Sequence, residues 1–181
     1  MRELSLHVLD ILENAVAAGA TLIRLEIIED SAHNRLTIRV TDNGRGMDPV
    51  TLRRATDPFF TTRTTRNVGL GLPLLQAAAQ RCNGDLTIRS QPGMGTQVVA
   101  EFQRDHIDRA PLGDMRSTLL GLILSQHPCD LHYEHWVDDR GFTFDTIETR
   151  RLLGGVPLTH PSVRAWLEEY LAQEQAVLGP A

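Results

Sequence analysis

Apolar positions at the start of the chain recur at helical spacing. Leu4, Val8, Leu9, Ile11, Leu12, Ala15 and Val16 predict a helix over residues 3–18, closed by Gly19 in a left-handed C-cap. Its polar positions are ordered as well. His7, Asp10 and Asn14 lie three and four residues apart and share one face, with Glu13 to the side. The commoner meaning of such a stripe is the solvated side of an amphipathic helix.

The period then changes to two. Thr21–Ile28 is β-branched and aliphatic and Arg35–Thr41 alternates, which predicts two antiparallel strands around the turn residues Asp30–Asn34. The second strand runs into Asp42-Asn43-Gly44-Arg45-Gly46-Met47. Alone, this hexapeptide reads as a turn, because Asp and Asn form Asx-turns and glycine supplies positive φ. Asp48 and Pro49 have N-cap and first-turn chemistry for a short helix through Ala55. Residues 57–68, with two adjacent Phe, four Thr and two Arg, predict a loop. Gly69-Leu70-Gly71-Leu72-Pro73 opens a helix that ends at Asn83-Gly84, followed by strands at 85–90 and 96–102. A polar stretch ending at Pro111 marks a boundary. Beyond it the pattern predicts a helix at 112–125, a hairpin of 132–137 with 142–144, and helices at 146–153 and 161–176. The expected organisation is a first domain at 1–104 and an appended α+β extension at 105–181.

Composition narrows the function classes. With 181 residues and 41% hydrophobic content, the chain can bury a sizeable core. A net charge of −5 provides no basic footprint for nucleic acid, and no apolar run has membrane-spanning length. The N-terminus turns acidic too early for a signal peptide, and two cysteines, Cys82 and Cys129, make no disulfide framework. A cytoplasmic protein that binds neither nucleic acid nor membrane is the expectation.

Three chemistries compete for the glycines. A dinucleotide fingerprint at Gly69-x-Gly71 fails because Leu74 stands where the third glycine belongs and no strand precedes it. A calcium loop between Asp42 and Asp48 fails because positions 44 and 46 are glycines without side-chain oxygens. The third takes the segments together. Glycines before a helix N-terminus present N–H groups to phosphates. An Asn on another helix can hold Mg²⁺. An Asp at a strand end can accept from an exocyclic amine, with glycines letting a flat base approach the backbone. No Walker A sequence occurs.

This set of segments resembles the GHKL superfamily of DNA gyrase, Hsp90 chaperones, histidine kinases and MutL. Leu9–Ala15 is similar to its N box and Asp42–Met47 to its first glycine box. Asp57-Pro58-Phe59-Phe60-Thr61-Thr62 is similar to the F box of histidine kinases. Gly69–Leu72 resembles the second glycine box and Gly93–Thr96 the last. The resemblance covers residues 3–102 and implies a Bergerat-type two-layer α/β sandwich. Its sheet would be mixed and mainly antiparallel, with helices on one face. It further implies ATP and Mg²⁺ as ligands. Asn14 would be the metal ligand and Asp42 the adenine acceptor, with Gly44, Gly46 and Met47 shaping the base pocket and Thr96 near it. Gly69, Leu70, Gly71 and Leu72 would belong to the lid and phosphate site, and Arg63 and Arg66 could meet the γ-phosphate. Hydrolysing members carry Glu four residues before the Asn; here Asp10 stands there and Glu13 is adjacent to Asn14, so both are candidate bases.

The F box and short lid are similar to histidine kinases, but no phosphoacceptor helix precedes the N box, nor does the strand usual there. The expectation is an ATP-binding protein that phosphorylates or regulates a partner protein, with an ATPase switch and a non-enzymatic binding module as the alternatives. The extension is expected to serve dimerisation, partner docking, or replacement of the core surface lost with the missing strand. Cys129, His127, His132 and His135 match no common zinc spacing, and on a strand 132 and 135 face opposite sides.

Overall fold

The computed structural model describes residues 2–57, 71–125 and 129–179. Its helices are α1 (Leu4–Ala17), α2 (Pro49–Arg53), α3 (Gly71–Arg81), α4 (Met115–Ile123), α5 (Thr146–Leu152) and α6 (Pro161–Leu178). Its strands are β1 (Leu22–Asp30), β2 (Arg35–Asp42), β3 (Asp85–Gln91), β4 (Gly95–Gln103), β5 (Asp130–Val137) and β6 (Arg140–Asp145). The strands form one six-stranded sheet in the order β3-β4-β2-β1-β5-β6. Every neighbouring pair is antiparallel except β1 with β5.

The α1 helix ends as its glycine predicts. Gly19 has φ 76°, its N–H bonds to Val16 O, and Ala20 N–H reaches back to Ala15 O at 3.1 Å, the paired bonds of a Schellman cap. The strands alternate. Ile23, Leu25 and Ile27 of β1, Leu36, Ile38 and Val40 of β2, and Leu131 and Tyr133 of β5 are buried in one continuous core with Leu4, Val8, Leu12, Leu75, Leu119 and Leu167 from the helices. Their strand neighbours occupy the other face of the sheet, where register builds polar rows. One row runs Thr87, Val99, Arg39, Glu26, Glu134, Thr143 across all six strands. Within it Arg39 Nη1 donates to Glu26 Oε1 at 3.1 Å. This is an α+β two-layer architecture, with a mixed, mainly antiparallel sheet.

The segment beyond residue 105 continues the sheet of the first hundred residues. β5 lies parallel along the whole of β1, from Leu22 opposite Asp130 to Glu29 opposite Val137. The hairpin is longer than the sequence pattern predicts, because Asp138 adopts φ 55° and closes it in two residues, Asp138 and Asp139. The helix expected at 112–125 starts only at Met115, for a tertiary reason. Leu112 O and Pro111 O are given to α1, accepting from Ser5 N–H at 2.8 Å and Leu4 N–H at 3.0 Å. These bonds serve two of the N–H groups that every helix leaves open at its start, and Glu3 makes no side-chain cap of its own.

A buried polar chain seals the β1–β5 junction. Arg104 Nε donates to Glu29 Oε2 at 3.1 Å, and His135 Nε2 lies 3.3 Å from Glu29 Oε1. Tyr133 Oη lies 3.3 Å from His135 Nδ1. Burial works to raise the Glu29 carboxyl, but hydrogen bonds from His135 and Arg104 outweigh it and hold the group below the usual glutamate range. His132 and His135 do point to opposite faces of β5. Among the described residues no group of three His, Cys, Asp or Glu side chains is placed to hold a metal ion.

Candidate functional site

Asp42 is the last residue of β2 and is paired in register with Thr96 of β4. Its Oδ1 accepts the Gly44 N–H at 2.8 Å, an Asx-turn formed by local sequence. Burial pushes the carboxyl above the usual aspartate range, opposed by the backbone N–H groups of Gly44 and Thr96. A carboxylate offers about four lone-pair sites, so acceptor capacity remains for a further donor.

The glycines bring three chain segments to this point. Gly46 has φ +67°, and a Cβ there would lie 1.9 Å from Gln91 O; one on Gly95 would lie 1.9 Å from Asp42 O. The loop after β2 and the β3–β4 turn therefore touch backbone to backbone, which only glycine permits. Gly44 packs on the end of α1, where a Cβ would sit 3.0 Å from Ala18 Cβ, and Arg45 N–H bonds to Ala18 O at 3.0 Å.

Two residues that sequence reasoning did not single out hold the cluster together. Ser90 Oγ accepts from Met47 N–H at 2.8 Å, donates to Gly95 O at 2.9 Å and lies 2.9 Å from Thr96 Oγ1. Asn43 Oδ1 accepts from the N–H groups of Thr21 and Leu22 at 2.9 and 3.0 Å, and its Nδ2 donates to Thr21 Oγ1 at 2.9 Å. Asn43 had a local signal, as an Asx residue in a glycine loop. Ser90 had none, because its role depends on strand register.

Asp10 and Asn14 lie half-buried on α1, whereas Glu13 is exposed. The first residue of α3 meets this face: a Cβ on Gly71 would lie 3.2 Å from Asp10 Cβ. Leu72 is partly buried against the core. The structure thus joins Asp42, Gly44, Gly46, Met47 and Thr96 in one cluster, and Asp10 with Gly71 in another. Ala18, one turn beyond Asn14, links α1 to the first. Arg63, Arg66, Gly69 and Leu70, and the F-box phenylalanines, lie outside the described residues. No helix among the described residues is long and apolar enough to cross a membrane.

The donor set fits a magnesium nucleotide. A half-buried carboxylate with spare acceptor capacity stands beside glycine backbone at one end, and at the other the Asp10 side chain, on the same face of α1 as Asn14, packs against the first residue of α3.

Comparison with known proteins agrees with this geometry. The family described as histidine kinase-, DNA gyrase B-, and HSP90-like ATPase matches residues 2–106. The sensor protein kinase FleS of Pseudomonas aeruginosa is 46% identical over 89 residues, 49% of this chain and 22% of that protein. The tetrathionate sensor histidine kinase TtrS of Salmonella typhimurium is 37% identical over 113 residues, 60% of this chain and 18% of that one. AtoS of Escherichia coli, a signal transduction histidine-protein kinase, is 39% identical over 97 residues, 52% and 16% of the two chains. Each alignment thus covers less than a quarter of the relative's length. Among solved structures, the N-terminal domain of a DNA repair protein matches with TM-score 0.56 and 14% identity, over 80% of this chain and 52% of that one. That likeness speaks to the fold and extends past the family match into the segment beyond residue 106.

Proposed function

Because this chain belongs to the histidine kinase-, DNA gyrase B- and HSP90-like ATPase family, we propose that it binds Mg-ATP and passes the γ-phosphate to a partner protein. The observation that carries this reading is the half-buried Asp42 carboxylate, held by Gly44 N–H at a strand end beside Thr96. Asp42 accepts from the adenine amino group, and Gly44, Gly46 and Met47 shape the walls around the base. Thr96, tied to Ser90, lies near the base. Asn14 would hold Mg²⁺, which would supply neutralisation of the phosphate charge. Gly69, Leu70, Gly71 and Leu72 offer backbone to the phosphates, with Arg63 and Arg66 of the same segment as cations for the γ-phosphate. Asp10, packed against Gly71, orients or deprotonates the attacking group; the exposed Glu13 is the lesser candidate.

The sensor-kinase relatives support a kinase-type use of this site. In this reading the protein works in the cytoplasm and its extension contributes to partner docking or dimerisation. Incubation with γ-labelled ATP and candidate acceptor proteins tests the proposal. Label on a partner protein is the expected result. Release of free phosphate that depends on Asp10, without labelled protein, would replace transfer with an ATPase switch. Nucleotide binding with neither outcome would leave a binding module.

A further inference from the structure

The sheet has two outer strands, and they are finished differently. β3 carries Asp85 and Arg89 and has the short α2 packed beside it. β6 shows none of the usual devices against edge pairing: Gly141-Phe142-Thr143-Phe144 is uncharged, lacks proline and follows β5 in unbroken register. Val137 and Arg140 flank the two-residue turn and so form a hydrogen-bonded pair. Alternation from there directs the backbone groups of Gly141, Thr143 and Asp145 away from β5. Among the described residues the N–H and C=O groups of Gly141 and Thr143 meet no partner.

Aromatic side chains border this edge on both faces. On the open face of the sheet the Trp136 ring lies against Gly141, where a Cβ would come within 2.3 Å of Cε3. On the helix face Tyr170 of α6 lies 6.1 Å from the Phe144 ring and stacks on Trp166 at 5.3 Å. Arg140 Nη1 donates to Val177 O, so α6 runs beside β6 in the opposite direction. Trp166, Tyr170, Gln173 and Val177 fall at spacings of four, three and four, one stripe beside the buried stripe of Val163, Leu167, Leu171 and Leu178. Trp166 is 45% and Val177 66% exposed, and tryptophan and tyrosine are the residues that most often anchor protein contacts.

We propose that β6 pairs antiparallel with β6 of a second copy of this chain, across a two-fold axis at Thr143. The occupant follows from the strand itself. In that register Thr143 faces Thr143 of the second copy and Gly141 faces its Asp145, so all three outward positions of both strands are paired. Phe142 meets Phe144 of the second copy on the helix side, an aromatic cross-strand pair. A slip of two residues one way leaves Gly141 opposite the start of α5. A slip the other way sets Asp139 against Asp145 of the second copy, two like charges. The same axis lays the α6 stripes of the two copies side by side and antiparallel. The inference gives the dimerisation role proposed above for the extension a place in the fold and rests on that part of the reading alone, apart from nucleotide binding and phosphoryl transfer.

Sedimentation equilibrium of the full chain without nucleotide, over a series of concentrations, tests it. The native chain should reach the mass of two chains. Thr143→Pro removes only an outward N–H, so this variant should keep its thermal transition and sediment as a monomer. Thr143→Lys, which sets like charges face to face across the axis, should do the same and serves if proline disturbs the hairpin. A short bis-maleimide should join Thr143→Cys into a dimer but not Thr87→Cys on the other outer strand; Cys82 and Cys129 are buried and give the background. A native chain that stays monomeric, a dimer that persists in the folded Thr143 variants, or equal joining at position 87 would overturn the proposal. A monomer that still labels a partner protein would overturn it and leave the kinase reading intact.

Discussion

Gly44 N–H donates to Asp42 Oδ1 at 2.8 Å, so the carboxylate proposed to read adenine is oriented by the loop it introduces. Asp42→Asn retains the size and one acceptor but places an amide donor where the base amine must donate. ATP binding measured by calorimetry is expected to be lost while the thermal unfolding transition survives. Unchanged affinity would remove the adenine assignment. The same residue sets a pH dependence. Its folded pKa is raised by burial, so ATP affinity should fall on acidification earlier than for an ordinary aspartate of about 3.9. The sign for stability is opposite: the empty fold binds this proton more tightly than the unfolded chain, so Asp42 disfavours folding above its folded pKa and ceases to as pH falls through that value.

Asn14 tests the metal. Asn14→Ala is expected to weaken ATP binding in the presence of Mg²⁺ and to leave binding in EDTA nearly unchanged. Two titrations, with and without the ion, measure this. An equal loss in both would exclude a metal role and point to packing of α1.

Glu29 carries the junction between β1 and β5. Glu29→Ala leaves Arg104 and His135 without their acceptor, and removal of one member of a buried ionic network costs roughly 3–5 kcal/mol. Glu29→Gln keeps one acceptor oxygen and should cost clearly less. Urea unfolding followed by circular dichroism distinguishes the two; equal and small effects would show that the network carries little of the junction.

The extension is predicted to be required for folding of the ATP-binding segment. A chain ending after Arg104 loses the β5 ladder on β1, the carbonyls of Pro111 and Leu112 that cap α1, and buried side chains including Leu119, Leu131, Tyr133, Phe144 and Leu167. Each fully buried large apolar side chain contributes about 1.5–3 kcal/mol, against a net stability of roughly 5–15 kcal/mol for a whole domain. The truncated chain should show no cooperative thermal transition. A sharp transition near that of the full chain would establish an autonomous domain at 1–104.

Much of the site was legible because its signals are short-range. The Asx-turn at Asp42, the Schellman cap at Gly19 and the shared face of His7, Asp10 and Asn14 each depend on residues within a few positions. Glycines at 44, 46 and 71 were visible for the same reason, although their neighbours were not. Ser90 escaped notice because a serine in a strand becomes a hub only when a particular turn lies across from it. The late start of α4 escaped because residues 111–112 obey α1 and not their own helical period.

By itself the sequence determined the order and type of the elements and the local caps and turns between them, such as those at Gly19 and Asp42. These follow from periodicity and local hydrogen bonding, which act between near neighbours. Tertiary structure decided that Asp130–Val137 lies along Leu22–Glu29, that the buried Glu29 meets Arg104 and His135, and that among the described residues His7 Nδ1 is buried without a hydrogen-bond partner. Those outcomes depend on which strand edge remains to be paired and which polar groups meet when it is. Residues a hundred positions apart carry no local pattern that announces their contact.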